Sequence, residues 1–179
     1  MIEEKEFESQ LYYVYKSGNL QNKTNCKYIE FINRGNDKSS KHVLKSQFII
    51  SSNVTINNSV YNNNNNNNIL ESTDSILVEI LVRYETVFKE PQLCFRLWEQ
   101  GDDVDASESL RLNYKLIDKL KENSKLPGWF ILNIDLIENE PWFIVGVCDT
   151  ENIVGDNLIK GKSHYMERWV SVYLISWLT

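Results

Sequence analysis

The sequence predicts an α+β fold, a mainly antiparallel sheet flanked by N-terminal, middle and C-terminal helices. Three observations carry this reading. Apolar residues alternate with period two in paired runs, the members of each pair are joined by short turn-rich segments, and stripes at helical spacing stand at both ends and once in between. The order is helix, four strands, helix, two strands, cysteine loop, helix.

The first helix spans roughly Glu3 to Lys16. Phe7, Leu11, Val14 and Tyr15 share one face, Gly18 follows as a stop, and Glu3, Glu4, Glu6 at the start and Lys16 at the end complement the helix dipole. Cys26 to Asn33 and Val43 to Ile50 read as a hairpin around Arg34-Gly35-Asn36-Asp37. From about 51 to 74 the composition turns to asparagine and serine, with an unbroken run from Asn62 to Asn68. That tract has no apolar face to offset the entropy of ordering it, so a flexible loop is expected.

Ile76 to Phe88 is the strongest strand, in which Ile76, Val78, Ile80, Val82 and Tyr84 alternate with residues that include Glu79, Arg83 and Glu85. Leu93 to Glu99 completes a second hairpin, and Pro91 marks either a tight turn or a strand start. The acidic stretch from Gly101 to Asp105 reads as a solvated surface turn. Leu112, Leu116, Ile117 and Leu120 form a helical stripe closed by Pro127-Gly128. Trp129 to Leu136 and Trp142 to Val145 are two further strands around Glu138-Asn139-Glu140. Finally, Tyr165, Trp169, Tyr173 and Trp177 lie beside Met166, Val170, Leu174 and Leu178, each set four apart, which gives a wide apolar helix face for docking on the sheet.

A chain of 179 residues with 42% apolar content is enough for one domain, residues 1–179, with a true core. The formal charge of −6 opposes phosphate backbones and anionic lipid surfaces, so neither nucleic acid nor stable membrane insertion is expected. Cys26, Cys94 and Cys148 are widely spaced and odd in number, which suits a reducing compartment, and no pair has metal-ligand spacing. The acidic N-terminus lacks an apolar signal region, and no apolar stretch is long enough to cross a bilayer. A soluble, cytoplasmic protein is the expectation.

Chemistry concentrates at Cys148. The apolar run Trp142 to Val145 stops at Gly146 and polar residues follow Cys148 at once, so the thiol stands where a strand ends and can meet another protein. A thiolate forms and releases an acyl thioester near neutral pH, which makes acyl carriage one reading and a small hydrophobe at a strand end the other. Asp149 either attracts a cationic lysine or bonds its own backbone. Backbone N–H groups around Gly146, or the Thr150 hydroxyl, are candidates for an oxyanion, with Thr150 as a plain turn or cap residue the alternative. Cys26 and Cys94 alternate with core residues and are assigned to packing. His42 and His164 begin a strand and a helix as surface residues, so a cysteine hydrolase lacks an orienting base unless His164 pairs with Cys148.

Several of these segments resemble one family. Tyr84 to Glu99, with Glu90-Pro91 and Arg96-Leu97-Trp98-Glu99, then Cys148-Asp149-Thr150 with Ile153-Val154-Gly155-Asp156, and Glu167-Arg168-Trp169-Val170, are similar to the autophagy E2-like conjugating enzymes of the autophagy-related protein 10 family. The resemblance is good from about Ile76 onward and holds in outline before it. It implies an E2-like core, a sheet of four strands plus two added strands, with Cys148 as the catalytic residue. The activity implied is transfer of the ubiquitin-like autophagy-related protein 12 from an E1-like activating enzyme, autophagy-related protein 7, through a thioester to a lysine of autophagy-related protein 5. No bound cofactor is implied, because ATP is consumed upstream, and the acceptor is met directly, with the Val43 to Ile50 strand as a docking edge. The chain departs from the family where a His-Pro pair often precedes the cysteine, here Gly146-Val147, and where a tyrosine often precedes the Glu-Pro turn, here Phe88. Tyr84 is then a candidate phenol. The alternatives are a catalytically silent E2-like interaction module and a cysteine hydrolase.

Overall fold

Gly18 ends the first helix for a steric reason: it takes the left-handed conformation, φ 68°, which side chains with a Cβ resist, and its N–H caps the Tyr15 carbonyl at 3.3 Å. The helix it closes, α1 (Glu4–Ser17), buries Phe7, Leu11 and Val14. The computed structural model describes residues 2–32, 42–53, 73–100, 110–122, 125–147, 150–155 and 164–179. A short second helix, α2 (Asn19–Lys23), buries Leu20. Five residues are too few to repeat a helical pattern.

β1 (Cys26–Phe31) pairs antiparallel with β2 (His42–Asn53), as expected, and the turn expected at Arg34 to Asp37 lies outside the described residues. β2 pairs antiparallel with β3 (Thr73–Glu85) from His42↔Arg83 to Asn53↔Thr73. Backbone pairing thus outruns the apolar pattern: Ser51 to Asn53 and Thr73 to Asp74, expected in the loop, are strand, while residues 54–72 lie outside the description. With β1 on one side and β3 on the other, β2 has no free edge over Leu44 to Phe48, which removes most of the Val43 to Ile50 segment as a docking edge.

β4 (Glu90–Gln100) pairs with β3 from Ile76↔Glu99 to Glu85↔Glu90, so Pro91 lies opposite Tyr84 at the start of a strand rather than in the turn. The preceding strand ends at Glu85, short of the expected Phe88. Val87 donates its N–H to Glu85 Oε1 (3.1 Å), and Lys89 leaves the turn at φ 53°. β5 (Leu110–Leu112) adds to the far end of β4, so Leu112 belongs to a strand, and only Leu116, Ile117 and Leu120 line α3 (Leu116–Glu122). β6 (Leu132–Ile137) and β7 (Glu140–Val145) form the last hairpin; Trp129 and Phe130 precede it instead of opening it. Its loop is Glu138-Asn139, both at positive φ (54° and 65°), the backbone that suits a two-residue hairpin to strand twist. The sheet order is β1-β2-β3-β4-β7-β6, with β5 on β4, and every pairing is antiparallel.

After α4 (Thr150–Val154), the chain closes with α5 (Tyr165–Val170), a π-helical turn (Ser171–Ile175) and α6 (Ser176–Leu178). The sequence spacing accounts for the π turn. Residues four apart in an α-helix are about 40° past a full turn, so stripes repeated at four would wind off the sheet. A wider π turn holds more residues and takes the drift back. Tyr165, Trp169, Tyr173 and Trp177 consequently all stay buried, as do Met166, Val170, Leu174 and Leu178.

These helices and α1 cover one face of the sheet, packing on Phe48, Ile50, Ile80 and Phe95. A smaller apolar group, Leu81, Cys94, Ile137, Trp142 and Ile144, lies on the other face. Beside it Glu79 is buried, which is permissible because Arg96 Nη2 reaches its Oε2 at 2.6 Å, Lys45 Nζ its Oε1 at 3.1 Å and Trp98 Nε1 its Oε2 at 3.2 Å. Arg96 also binds Glu140 and lies 4.1 Å from the Trp142 ring centre.

Candidate functional site

β7 joins β4 at Cys94↔Ile144 and Phe95↔Phe143, so its C-terminal end points to the sheet end at which β4 begins and the β3–β4 turn lies. Gly146 continues the β6–β7 ladder, its N–H donating to the Ile131 carbonyl at 2.8 Å. Val147 is buried. Thr150 then returns: its N–H donates to the Val147 carbonyl at 3.1 Å and its hydroxyl to the same oxygen at 2.9 Å, while the Tyr173 hydroxyl lies 3.1 Å from Thr150 Oγ1. Cys148 and Asp149 stand in sequence between these anchors and lie outside the described residues. Apolar side chains are exposed at the same end: Trp129 (40%), Ile131 (62%) and Phe88 (51%).

The supporting roles change. The Gly146 N–H and the Thr150 hydroxyl already have protein partners, so neither is free for an oxyanion, and Thr150 is the structural residue of its two readings. Gly146 is not imposed by space, since a Cβ there would meet Ile131 at 3.5 Å, an ordinary contact. Tyr84 is no substitute phenol. Its hydroxyl donates to the Ile2 carbonyl at 2.8 Å inside the core, and burial above all, with Glu3, Glu4 and Glu90 adding to it, raises its pKa. The Ile2 N–H reaches back to the Lys89 carbonyl at 2.9 Å, which pins the N-terminus to the β3–β4 turn.

His164 stands exposed just before α5 with Nδ1 2.9 Å from Glu167 Oε2, and His42 begins β2, its side chain outside the description. Cys94 is a packing residue: burial pushes its thiol up to about 12. Cys26 is half-buried on β1, and its thiol is raised mainly by burial, against a lowering contact with the Tyr28 carbonyl. The contact of Tyr173 with Thr150 has no signal in the sequence, because the period-four stripe that holds Tyr173 signals only core. Among the described residues, no three His, Cys, Asp or Glu side chains are grouped to hold a metal, and no helix is long and apolar enough to cross a membrane.

An antiparallel sheet with terminal helices on one face and a cysteine segment following its inner added strand defines an α+β protein of the E2-like class. Residues 6–179 match the family model for the autophagocytosis associated protein, active-site domain, and the chain belongs to this family of E2-like transferases. A Saccharomyces cerevisiae protein named ubiquitin-like-conjugating enzyme ATG10 is 28% identical over 181 residues, which cover 99% of this chain and 97% of that one. A Candida glabrata protein of the same name is 29% identical over 106 residues, 55% of this chain and 64% of its own. The crystal structure of autophagic E2, Atg10 shares the fold, with a TM-score of 0.68 at 24% identity, covering 99% of this chain and 97% of that one.

Proposed function

We infer that this chain, as one E2-like domain acting in the cytoplasm, carries a ubiquitin-like modifier as a thioester on Cys148 and passes it to a lysine of an acceptor protein. The Cys148 thiolate attacks the carbonyl of the modifier's C-terminal glycine, held on the thiol of an E1-like enzyme, and that thiolate departs. A neutral lysine amine then attacks the new thioester, an amide forms, Cys148 leaves as thiolate, and the amine's extra proton goes to solvent. By family, the activating enzyme is autophagy-related protein 7, the modifier autophagy-related protein 12 and the acceptor autophagy-related protein 5. The observation that supports this most is the doubly bonded Val147 carbonyl, which anchors both flanks of Cys148 at a sheet end rich in exposed apolar side chains.

A second reading, a silent interaction module, draws on Gly146 and Phe88, which lack the imidazole and phenol that the family often carries there. Reconstitution separates the two. With activating enzyme, modifier and ATP, an active carrier gives an adduct that a thiol reductant cleaves, and Cys148→Ser gives a reductant-resistant ester or none. Absence of any adduct on the unaltered chain overturns the carrier reading.

A further inference from the structure

Tyr173 lies in the middle of the π-helical turn, yet its hydroxyl makes a contact with Thr150, on the far side of the cysteine segment. The proton order in this contact follows from the bond that the Thr150 hydroxyl already makes to Val147. Thr150 has one hydroxyl proton, and the Val147 carbonyl, 2.9 Å away, can only accept, so that proton goes to the carbonyl and the Tyr173 phenol donates to Thr150 Oγ1. The result is a chain of donors, phenol to hydroxyl to carbonyl, that ties the residue before Cys148 and the residue after Asp149 to the C-terminal helix. It is shielded from water, with Thr150 1% and Tyr173 2% exposed.

The phenol itself is held on several sides. Its ring stacks on Trp169 (4.8 Å between centres, planes 9° apart), meets the edge of Trp129 at 5.1 Å, and its carbonyl accepts from Trp177 Nε1 at 2.7 Å. Packing alone asks only for an aromatic ring at this position. The hydroxyl adds a directed bond, and that bond ends on the cysteine segment.

We propose that Tyr173 is a positioning residue for the transfer reaction: its hydroxyl, acting through Thr150, fixes the flanks of Cys148 so that the thioester is presented to the incoming amine. This rests on the reading of Cys148 as the thioester cysteine. Fixing a reacting group raises the rate of a step by holding it near the geometry of attack, and loss of one neutral hydrogen bond corresponds to about a 3- to 10-fold change in rate.

The test is a single-turnover discharge. The chain is loaded with modifier, freed of ATP, mixed with acceptor, and the decay of the thioester is followed over a range of acceptor concentrations. Tyr173→Phe, which keeps the ring, is expected to lower the limiting rate about 3- to 10-fold with the half-saturating acceptor concentration unchanged. Thr150→Val is expected to do the same and Thr150→Ser to restore the rate. Tyr173→Phe added to Thr150→Val is expected to cost nothing further, because both remove one pathway. Discharge of Tyr173→Phe at the unaltered rate overturns the proposal, as does a slow Thr150→Ser. Should Tyr173→Phe fold poorly, the Thr150 pair decides alone. If the unaltered chain never loads, the reading of Cys148 has failed and this proposal with it; if it loads and discharges while the variants match it, only the role of Tyr173 has failed.

Discussion

β3 and β4 lie between other strands, β2 on one side and β7 and β5 on the other, and most of their described side chains are buried on both faces of the sheet. β6 has β7 on one side and no strand on the other among the described residues, and it leaves Ile134 61% and Leu136 63% exposed. β7, between these extremes, meets β4 at only the Cys94 and Phe95 positions before it leads to Gly146 and the cysteine segment. Stability is therefore invested in the central hairpin and the helices on it, while the added hairpin is held by fewer contacts where the candidate chemistry lies. Such a division is common, because a site that must admit partners is served by elements from the less stable end of a structure.

The strongest way to break this contrast is to remove Arg96, which joins the two hairpins by binding Glu79 on β3 and Glu140 on β7. Arg96→Ala leaves Glu79 buried without its main partner, and a loss of about 3–5 kcal/mol is expected in urea unfolding. Glu79→Leu combined with Arg96→Met removes both charges and is expected to lose much less. A loss below about 1 kcal/mol for Arg96→Ala would mean that water already solvates Glu79, and the central hairpin would lose its special standing.

Cys94 sharpens the same contrast through pH. Its thiol has an ordinary value of 9.0 and a folded value of about 12, chiefly from burial, with Asp135 and Glu85 adding to the rise and Arg83 opposing it. The unfolded chain thus releases this proton first. The stabilisation is whole below pH 9.0 and is lost progressively as pH climbs toward 12. Relative to Cys94→Ala, whose cavity cost does not depend on pH, the unaltered chain is expected to lose about 2 kcal/mol by roughly pH 10.5. Parallel stability curves for the two proteins would show that water reaches the thiol.

Much of this architecture was legible in the sequence because it is local. β3 declared itself through the alternation of Ile76, Val78, Ile80 and Val82, and β7 through an apolar run that stops at Gly146. The opposite face of β3 was not legible: Glu79 reads as a solvated residue, and only the distant Arg96, Trp98 and Lys45 make its burial possible. α2 and β5, of five and three residues, are too short to repeat a pattern. Cys148 stood out by its place at a strand end, whereas the bond from Tyr173 to Thr150 joins two elements that no spacing relates. The period of four in the last helix held the π turn in plain view, but it reads as a wide apolar stripe until the sheet beneath it demands that the stripe stay straight.

The smallest expected effect is at the outer edge. In β6, Gly146 bonds Ile131, so the odd positions of the strand face β7, and the backbone groups of Leu132, Ile134 and Leu136 face the free edge. Ile134 and Leu136 show their side chains to water as well, so their replacement removes little buried area. Threonine keeps the branched Cβ of Ile134 and brings one to position 136, and a branched Cβ suits a strand. Ile134→Thr and Leu136→Thr are each expected to change stability by no more than about 0.5 kcal/mol, read from the same unfolding curves as Arg96→Ala. A loss above about 1.5 kcal/mol in either variant would require those side chains to be covered in solution. β6 would then be an inner strand in practice, and the division between a stable centre and a lightly held edge would have to be redrawn around whatever covers it.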